Sequence, residues 1–250
     1  MKNDILYKYV LALGDDALIL GQRLSQWAYK GPFLEEDIAL SNISLDMFGR
    51  ANMFLEYAAQ IDNTVNADEL AFKRNEREFS NYLICEQPNG NFADTMVRQL
   101  FFDTFDSLFL EELIKSKDSQ LSAIAQKSAK ETSYHLRHSS KWIIRLGDGT
   151  EESHNKVQNA INNLWVYTGE LFENSSNDKQ IIKDKIGVDC SLLKSKWQKN
   201  IDEVLLEAKL SQPEIEHMIT GGRDGIHTEY LGHLLSDMQY LQRAYPDASW

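Results

Sequence analysis

The sequence predicts an all-α fold, a central four-helix bundle with further helices around it. Three observations carry that. Apolar residues recur at three- and four-residue spacing through long windows, as one face of a 3.6-residue helix requires. No segment reads as a strand. The four prolines, Pro32, Pro88, Pro213 and Pro246, all fall between periodic stretches and interrupt none.

The first helix is predicted from about Asp4 to Tyr29. Leu6, Tyr9, Leu13, Ala17, Leu20, Leu24 and Trp27 form its apolar face, with Asp16 at the margin and Asp15 pointing away. Gly31-Pro32 is expected to end it. A second runs from about Glu35 to Ile61, where Ala39, Asn42, Ile43, Asp46, Gly49, Arg50, Met53 and Tyr57 share a face. Asp46 and Arg50 stand four apart, the spacing of an intrahelical ion pair. The charged stretch from Asp68 to Cys85 is predicted to be a helix packed outside the bundle.

Gln87-Pro88-Asn89-Gly90-Asn91 is a turn signal. The helix after it, Phe92 to Ser116, sets Met96, Leu100, Asp103, Ser107, Leu110 and Ile114 on one face, while Phe101, Phe102, Phe105 and Phe109 cover others, so it is predicted to be buried most of the way round. Asp118 or Ser119 can cap a fourth helix that stops at Gly147-Asp148-Gly149. Further helices are expected over Glu151 to Phe172, Ser191 to Leu210 and Thr228 to Ala244, with a polar loop from Glu173 to Lys179 and a glycine loop, Gly221-Gly222-Arg223-Asp224-Gly225, before the last. With no preceding strand and no Lys-Ser/Thr after it, that loop matches neither a P-loop nor a dinucleotide fingerprint, and a tightly packed turn is expected. No repeat or domain boundary is visible, so residues 1–250 are read as one domain.

Composition narrows the function. With 250 residues, 42% of them apolar, the chain can build a sizeable core. A net charge of −12, from 26 basic and 38 acidic residues, speaks against nucleic acid and against an anionic membrane surface. No run is long and apolar enough to cross a bilayer, and acidic residues interrupt the N-terminal apolar stretch, so a cytoplasmic protein without a signal peptide is expected. Cys85 and Cys190 are read as reduced, buried thiols, and the Asn174-Ser175-Ser176 sequon is without meaning in that compartment. There is no G-x-S-x-G and no cysteine in an activating context.

The chemistry-bearing pattern is a polar seam. In the fourth helix Ile124, Ser128, Glu131, His135, His138 and Trp142 fall on one face. Each of the first four long helices brings an acid inward: Asp16, Asp46, Asp103 and Glu131. Ferritin-like di-iron proteins place carboxylates this way, with one Glu on each of two helices and Glu-x-x-His on the other two. This chain departs from that pattern twice. Three residues past Asp46 stands Gly49, and three past Glu131 stands Tyr134, with His135 one further on. Three of the acids are Asp, one methylene shorter than Glu. The seam is therefore read as a degenerate metal site, a buried polar network in which Asp46 with Arg50 and Glu131 with His135 are local pairs. Asp15, Asp106 and His154 are read as solvated surface.

Leu40 to Asp46 (LSNISLD), Glu86 to Phe102 (EQPNGNFADTMVRQLFF), Lys130 to Arg137 (KETSYHLR) and above all Gly221 to Trp250, with its GG-x-x-G-x-HTE-x-LG start and MQ-x-L-x-R end, carry a resemblance. Over nearly its whole length the chain resembles the structural (C) subunits of the bacterial phenylacetyl-CoA epoxidases, multicomponent oxygenases of phenylacetate breakdown. The resemblance implies a ferritin-like fold without a functional di-iron centre, no metal or cofactor and no catalytic residue in this chain. It implies a homologous catalytic oxygenase subunit as partner, holding the di-iron and the acyl-CoA, a small bridging subunit, and a separate NADPH-dependent reductase reached indirectly. A homodimer of the isolated chain stays open. A scaffold of this kind predicts a contiguous apolar surface patch. Two other readings are carried: a self-sufficient di-metal oxidase using Asp16, Asp46, Asp103, Glu131 and His135, and a coenzyme A-binding module for which Arg223 and the glycine loop are the local hint.

Overall fold

The structure is a computed structural model that describes residues 2–175, 178–246 and 248. Ser176 of the sequon and Asp247, Ser249 and Trp250 of the C-terminal stretch lie outside the described residues. Among those described, all regular structure is helical: α1 (Lys2–Ser25), α2 (Leu34–Asp62), α3 (Ala67–Phe72), α4 (Leu83–Glu86), α5 (Phe92–Leu113), α6 (Ser119–Gly147), α7 (Glu151–Leu164), α8 (Asp178–Lys183), α9 (Lys194–Glu207) and α10 (Glu229–Ala244). None of them is long and apolar enough to cross a membrane. The chain forms two compact units, one from residues before 88 and after 220, the other from residues 88–220.

In the first unit α1 and α2 make an antiparallel hairpin packed along its length. Gly14 lies against Leu55 and Phe54, and Gly21 against Met47 and Phe48, so close that a Cβ would stand 2.9 and 3.1 Å from its neighbours. Ser44 Oγ donates to the Gly21 carbonyl at 2.8 Å across the same seam. These two glycines, seven apart, face α2 because the helices approach closely there. α1 ends at Ser25, earlier than the Gly31-Pro32 signal predicts. Trp27 and Ala28 donate to the carbonyls of Leu24 and Ser25, which tightens the last turn, and Tyr29 takes a left-handed φ of 65°.

α2 corrects its predicted face. The buried residues are Glu36, Leu40, Ile43, Ser44, Met47, Arg50, Ala51, Phe54, Leu55 and Ala58. Asn42 and Gly49, assigned inward from the sequence, are exposed, and Asp46 is half-buried. Exposed large apolar side chains gather at its start: Tyr29, Phe33, Leu34, Ile38 and Leu45. The stretch from Asp68 to Cys85 is not one helix and is not peripheral. It is α3, a 3-10 turn at Glu76–Glu78, an extended run and α4, with Phe79, Asn81 and Ile84 fully buried.

The second unit is built on the antiparallel hairpin of α5 and α6, with α7 and α9 packed on both. Asn91 caps α5 with a reciprocal capping box, and Asp118 caps α6 through the Gln120 and Leu121 amides. α5 is buried on nearly every side, as its ring of phenylalanines predicts. Phe101, Trp165, Trp197, Phe172 and Phe105 form an aromatic cluster of edge-to-face and tilted contacts, and the Trp197 indole donates to the Phe101 carbonyl at 2.9 Å. The helix predicted over Glu151 to Phe172 stops at Leu164 and continues as two 3-10 turns, which bring Trp165, Leu171 and Phe172 into the core. Cys85 in the first unit and Cys190 in the second are buried thiols, not joined in a disulfide.

Trp197 tests which part of this cluster matters. Trp197→Phe keeps an aromatic ring but loses the hydrogen bond and part of the indole's volume, an expected cost of about 1–3 kcal/mol. Trp197→Ala opens a cavity at a residue only 2% exposed and costs about 3–5 kcal/mol. Urea unfolding of the two variants measures the difference.

Candidate functional site

The densest chemistry lies in the first unit, where three buried carboxylates face four cationic side chains. Asp15 and Asp16 are adjacent on α1, so a helix turns them about 100° apart and each meets a different segment. Asp15, fully buried rather than solvated, accepts Arg74 through both guanidinium Nη atoms, one at 3.0 Å, and the Ser80 amide at 2.9 Å. Arg74 lies 4.1 Å over the Phe79 ring and donates to the Leu70 and Glu78 carbonyls.

Asp16 takes Arg223 in a fork, Nη2 at 2.6 Å and Nη1 at 3.2 Å, and the Tyr82 amide at 2.8 Å. Arg223 stacks 3.6 Å over the Tyr82 ring and reaches the carbonyls of Ala12 and Ser80. Two tendencies oppose each other here. Burial pushes the Asp16 carboxyl up, to about 7, against the pull of Arg223 and the Tyr82 amide. Burial also disfavours the Arg223 charge, yet Asp16 holds the guanidinium proton well above the ordinary range. Three donors converging on Asp16, two of them a planar fork, decide for the ionised pair.

Glu86 closes the knot. Its Oε1 accepts the Thr228 amide at 2.6 Å and hydroxyl at 2.7 Å, and its Oε2 accepts Asn81 Nδ2 at 2.9 Å and meets His227 Nδ1 at 2.8 Å. The other ring nitrogen, His227 Nε2, lies 2.9 Å from the Phe79 carbonyl. Both nitrogens face acceptors, so the ring is satisfied only as an imidazolium. Burial lowers the His227 pKa, but the bonds to Glu86 and Phe79 outweigh it and the net shift is upward. The Glu86 carbonyl takes Arg23 at 2.9 and 2.7 Å, and Arg23 also reaches the Tyr230 carbonyl. Residues 74–86 are thus stitched to α1 on one side and to the loop before α10 on the other. Gly221 and Gly225 have φ of 130° and 73°, and a Cβ at Gly225 would stand 2.6 Å from the Arg77 carbonyl oxygen, so the glycine loop is a tightly packed turn.

The seam residues fall as follows. In the first unit Asp16 is in the knot, Arg50 is 3% exposed, Asp46 is half-buried and Gly49 faces open space. In the second unit Ser139 donates to Asp103 at 2.9 Å and Thr132 to Asp106 at 2.8 Å. Asp106 is therefore buried, not solvated. His135 is 1% exposed, Glu131 and His138 are half-buried, and Tyr134 is exposed, stacked on His138 with centroids 6.0 Å apart. His154 is half-buried, with Nδ1 2.8 Å from the Gly147 carbonyl. Among the described residues no group of three or more His, Cys, Asp and Glu side chains is arranged to hold a metal ion.

Sequence reasoning missed Asp15, Arg23, Arg74, Glu86 and His227. Only the two adjacent acids inside an apolar helix were a signal, since one of them must point inward. The partners lie 59 to 207 residues away.

A family model described as phenylacetic acid catabolic protein matches residues 1–250, and the chain belongs to that family. It is 47% identical over 245 residues to the C component of the 1,2-phenylacetyl-CoA epoxidase of Escherichia coli (strain K12), covering 98% of this chain and 99% of that one.

The knot makes two expectations measurable. Arg223→Met leaves a buried carboxylate without its counter-charge and lowers unfolding stability by about 3–5 kcal/mol, with Asp16→Asn/Arg223→Met recovering part of it in a denaturation cycle. The upward shift at His227 means its contribution is complete below about pH 6.5 and fades as pH rises through the folded-state value. The stability gap between wild type and His227→Gln should therefore be largest below about pH 6.5 and shrink as pH rises above it, read by thermal melts.

Proposed function

We propose that this chain is the non-catalytic structural subunit of a phenylacetyl-CoA epoxidase, packing as one ferritin-like domain against a homologous di-iron catalytic subunit. That partner epoxidises the aromatic ring of phenylacetyl-CoA. The 47% identity to an epoxidase component, spanning both chains almost end to end, supports a place in such a complex. The observation that carries the structural role is what the seam acids touch. Asp16 is filled by Arg223 and an amide, and Asp103 accepts from Ser139. The positions that would need imidazoles are an exposed glycine, Gly49, and an exposed tyrosine, Tyr134. These residues do not fit a di-iron cage, which needs one histidine per iron and carboxylates left open to metal. No step of the reaction is assigned to them.

Metal analysis after co-expression with the catalytic subunit is the direct test. The chains should co-purify, with iron in the partner and only traces in this chain. Near-stoichiometric iron or manganese in the isolated chain would favour the di-metal oxidase instead. Glu131→Gln should leave turnover of the assembled enzyme within about twofold of wild type, whereas loss of a metal-site group would cost about 10–100-fold.

A further inference from the structure

The outer edge of α2 is apolar where a surface helix is ordinarily polar. Leu34, Ile38 and Leu45 share one face, with 71%, 53% and 65% of their surfaces open. Phe33 and Tyr29 extend the patch beyond the start of the helix. Together they expose on the order of several hundred Å² of apolar surface, which a monomer seldom shows away from a binding face.

Gly49 is the second observation. It lies four residues past Leu45 on the same edge, and a Cβ there would meet nothing within 4 Å. Gly14 and Gly21 are required by the close approach of α1 and α2; Gly49 has no such requirement within the chain. A glycine inside a helix is destabilising relative to alanine. A bare backbone beside an exposed leucine suits a second helix crossing closely at that point.

Charge selects the occupant. Glu35 and Glu56 are exposed along this edge, and Asp37 and Asp46 are half-buried beside it. The one basic residue of α2, Arg50, is buried. A second copy would bring the same acidic margin and no exposed basic residue of α2, like charge against like. We infer that this edge docks a helix of the catalytic subunit, one with an apolar stripe and Lys or Arg along its margins. The inference rests on the structural-subunit reading and adds the face to it. Leu34, Ile38 and Leu45 enter the partner's groove, Gly49 lets the two axes approach, and the acidic margin pairs with the basic one.

The test uses the full chain and the purified catalytic subunit, with affinity measured by calorimetry at two salt concentrations. Gly49→Leu should fold with an unchanged or higher melting temperature, since its space is open, yet weaken association by about tenfold or more. Leu45→Glu should do the same. Leu206→Glu on α9, at a residue 81% exposed, should bind as wild type does. Wild-type binding should weaken as salt rises. Gly49→Leu and Leu45→Glu binding normally would overturn the docking face and leave the structural-subunit reading intact. Wild type failing to bind the catalytic subunit would overturn that reading and the inference with it. Self-association of wild type, abolished by Leu45→Glu, would overturn the choice of a different subunit.

Discussion

Asp15 and Asp16 stand side by side on one helix, and neither touches water appreciably. An unpaired buried carboxylate is costly, so each needs a cation delivered to a fixed point. The chain delivers Arg74 to one and Arg223 to the other, each in a two-pronged contact and each stacked on an aromatic ring. The extended run between Arg74 and Glu86 must then lie where those guanidiniums can reach, and its amides at Ser80 and Tyr82 complete the same two carboxylates. The loop before α10 must pass close enough for Arg223 and His227 to arrive together. This explains why that loop carries glycines at positive φ, one of them pressed against the Arg77 carbonyl.

In the second unit two buried acids take hydroxyl donors across one helix pair. Asp103 and Asp106 face the hydroxyls of Ser139 and Thr132 on α6, short neutral donors on a neighbouring helix. A hydroxyl can satisfy a carboxylate oxygen without the reach of an arginine. Such a contact holds two adjacent helices in register, whereas the guanidinium forks tie residues far apart in sequence. The unit's long-range order rests instead on aromatic packing, with Trp197 bonded to the backbone of α5.

Legibility in the sequence followed this division. The limits of α2, α5 and α6 could be read closely, because a turn signal or a capping Asn or Asp acts within four residues of itself. The all-round burial of α5 was visible in its phenylalanines. The stretch from Asp68 to Cys85 was misread, since what orders it is Asp15, Asp16 and Arg23, none of them local. Asp15 was placed in solvent for the same reason. α2 was rotated by about one position because apolar residues lie on two of its faces, Leu40, Ile43 and Met47 inward and Leu34, Ile38 and Leu45 outward. Periodicity cannot rank two apolar stripes, and Asp46 was taken as the guide to the interior when it lies beside the outer one. Of the candidate seam, Asp16, Asp103 and His135 are buried, while Gly49 and Tyr134 face outward.

A buried carboxylate can be neutralised by a bound metal or by a protein cation, and the two have different consequences. A metal must be acquired, so folding and occupancy are linked, and the ligands must keep lone pairs open to it. An arginine fork is part of the chain and forms as the chain folds. It also occupies lone pairs that a metal would need. Asp16 with Arg223 is of the second kind. In the proposed structural subunit, beside a metal-bearing neighbour, this arrangement would make the scaffold's stability independent of iron supply. Under that reading Asp16 and Asp103 need no catalytic purpose to account for their burial: each faces a partner that occupies it.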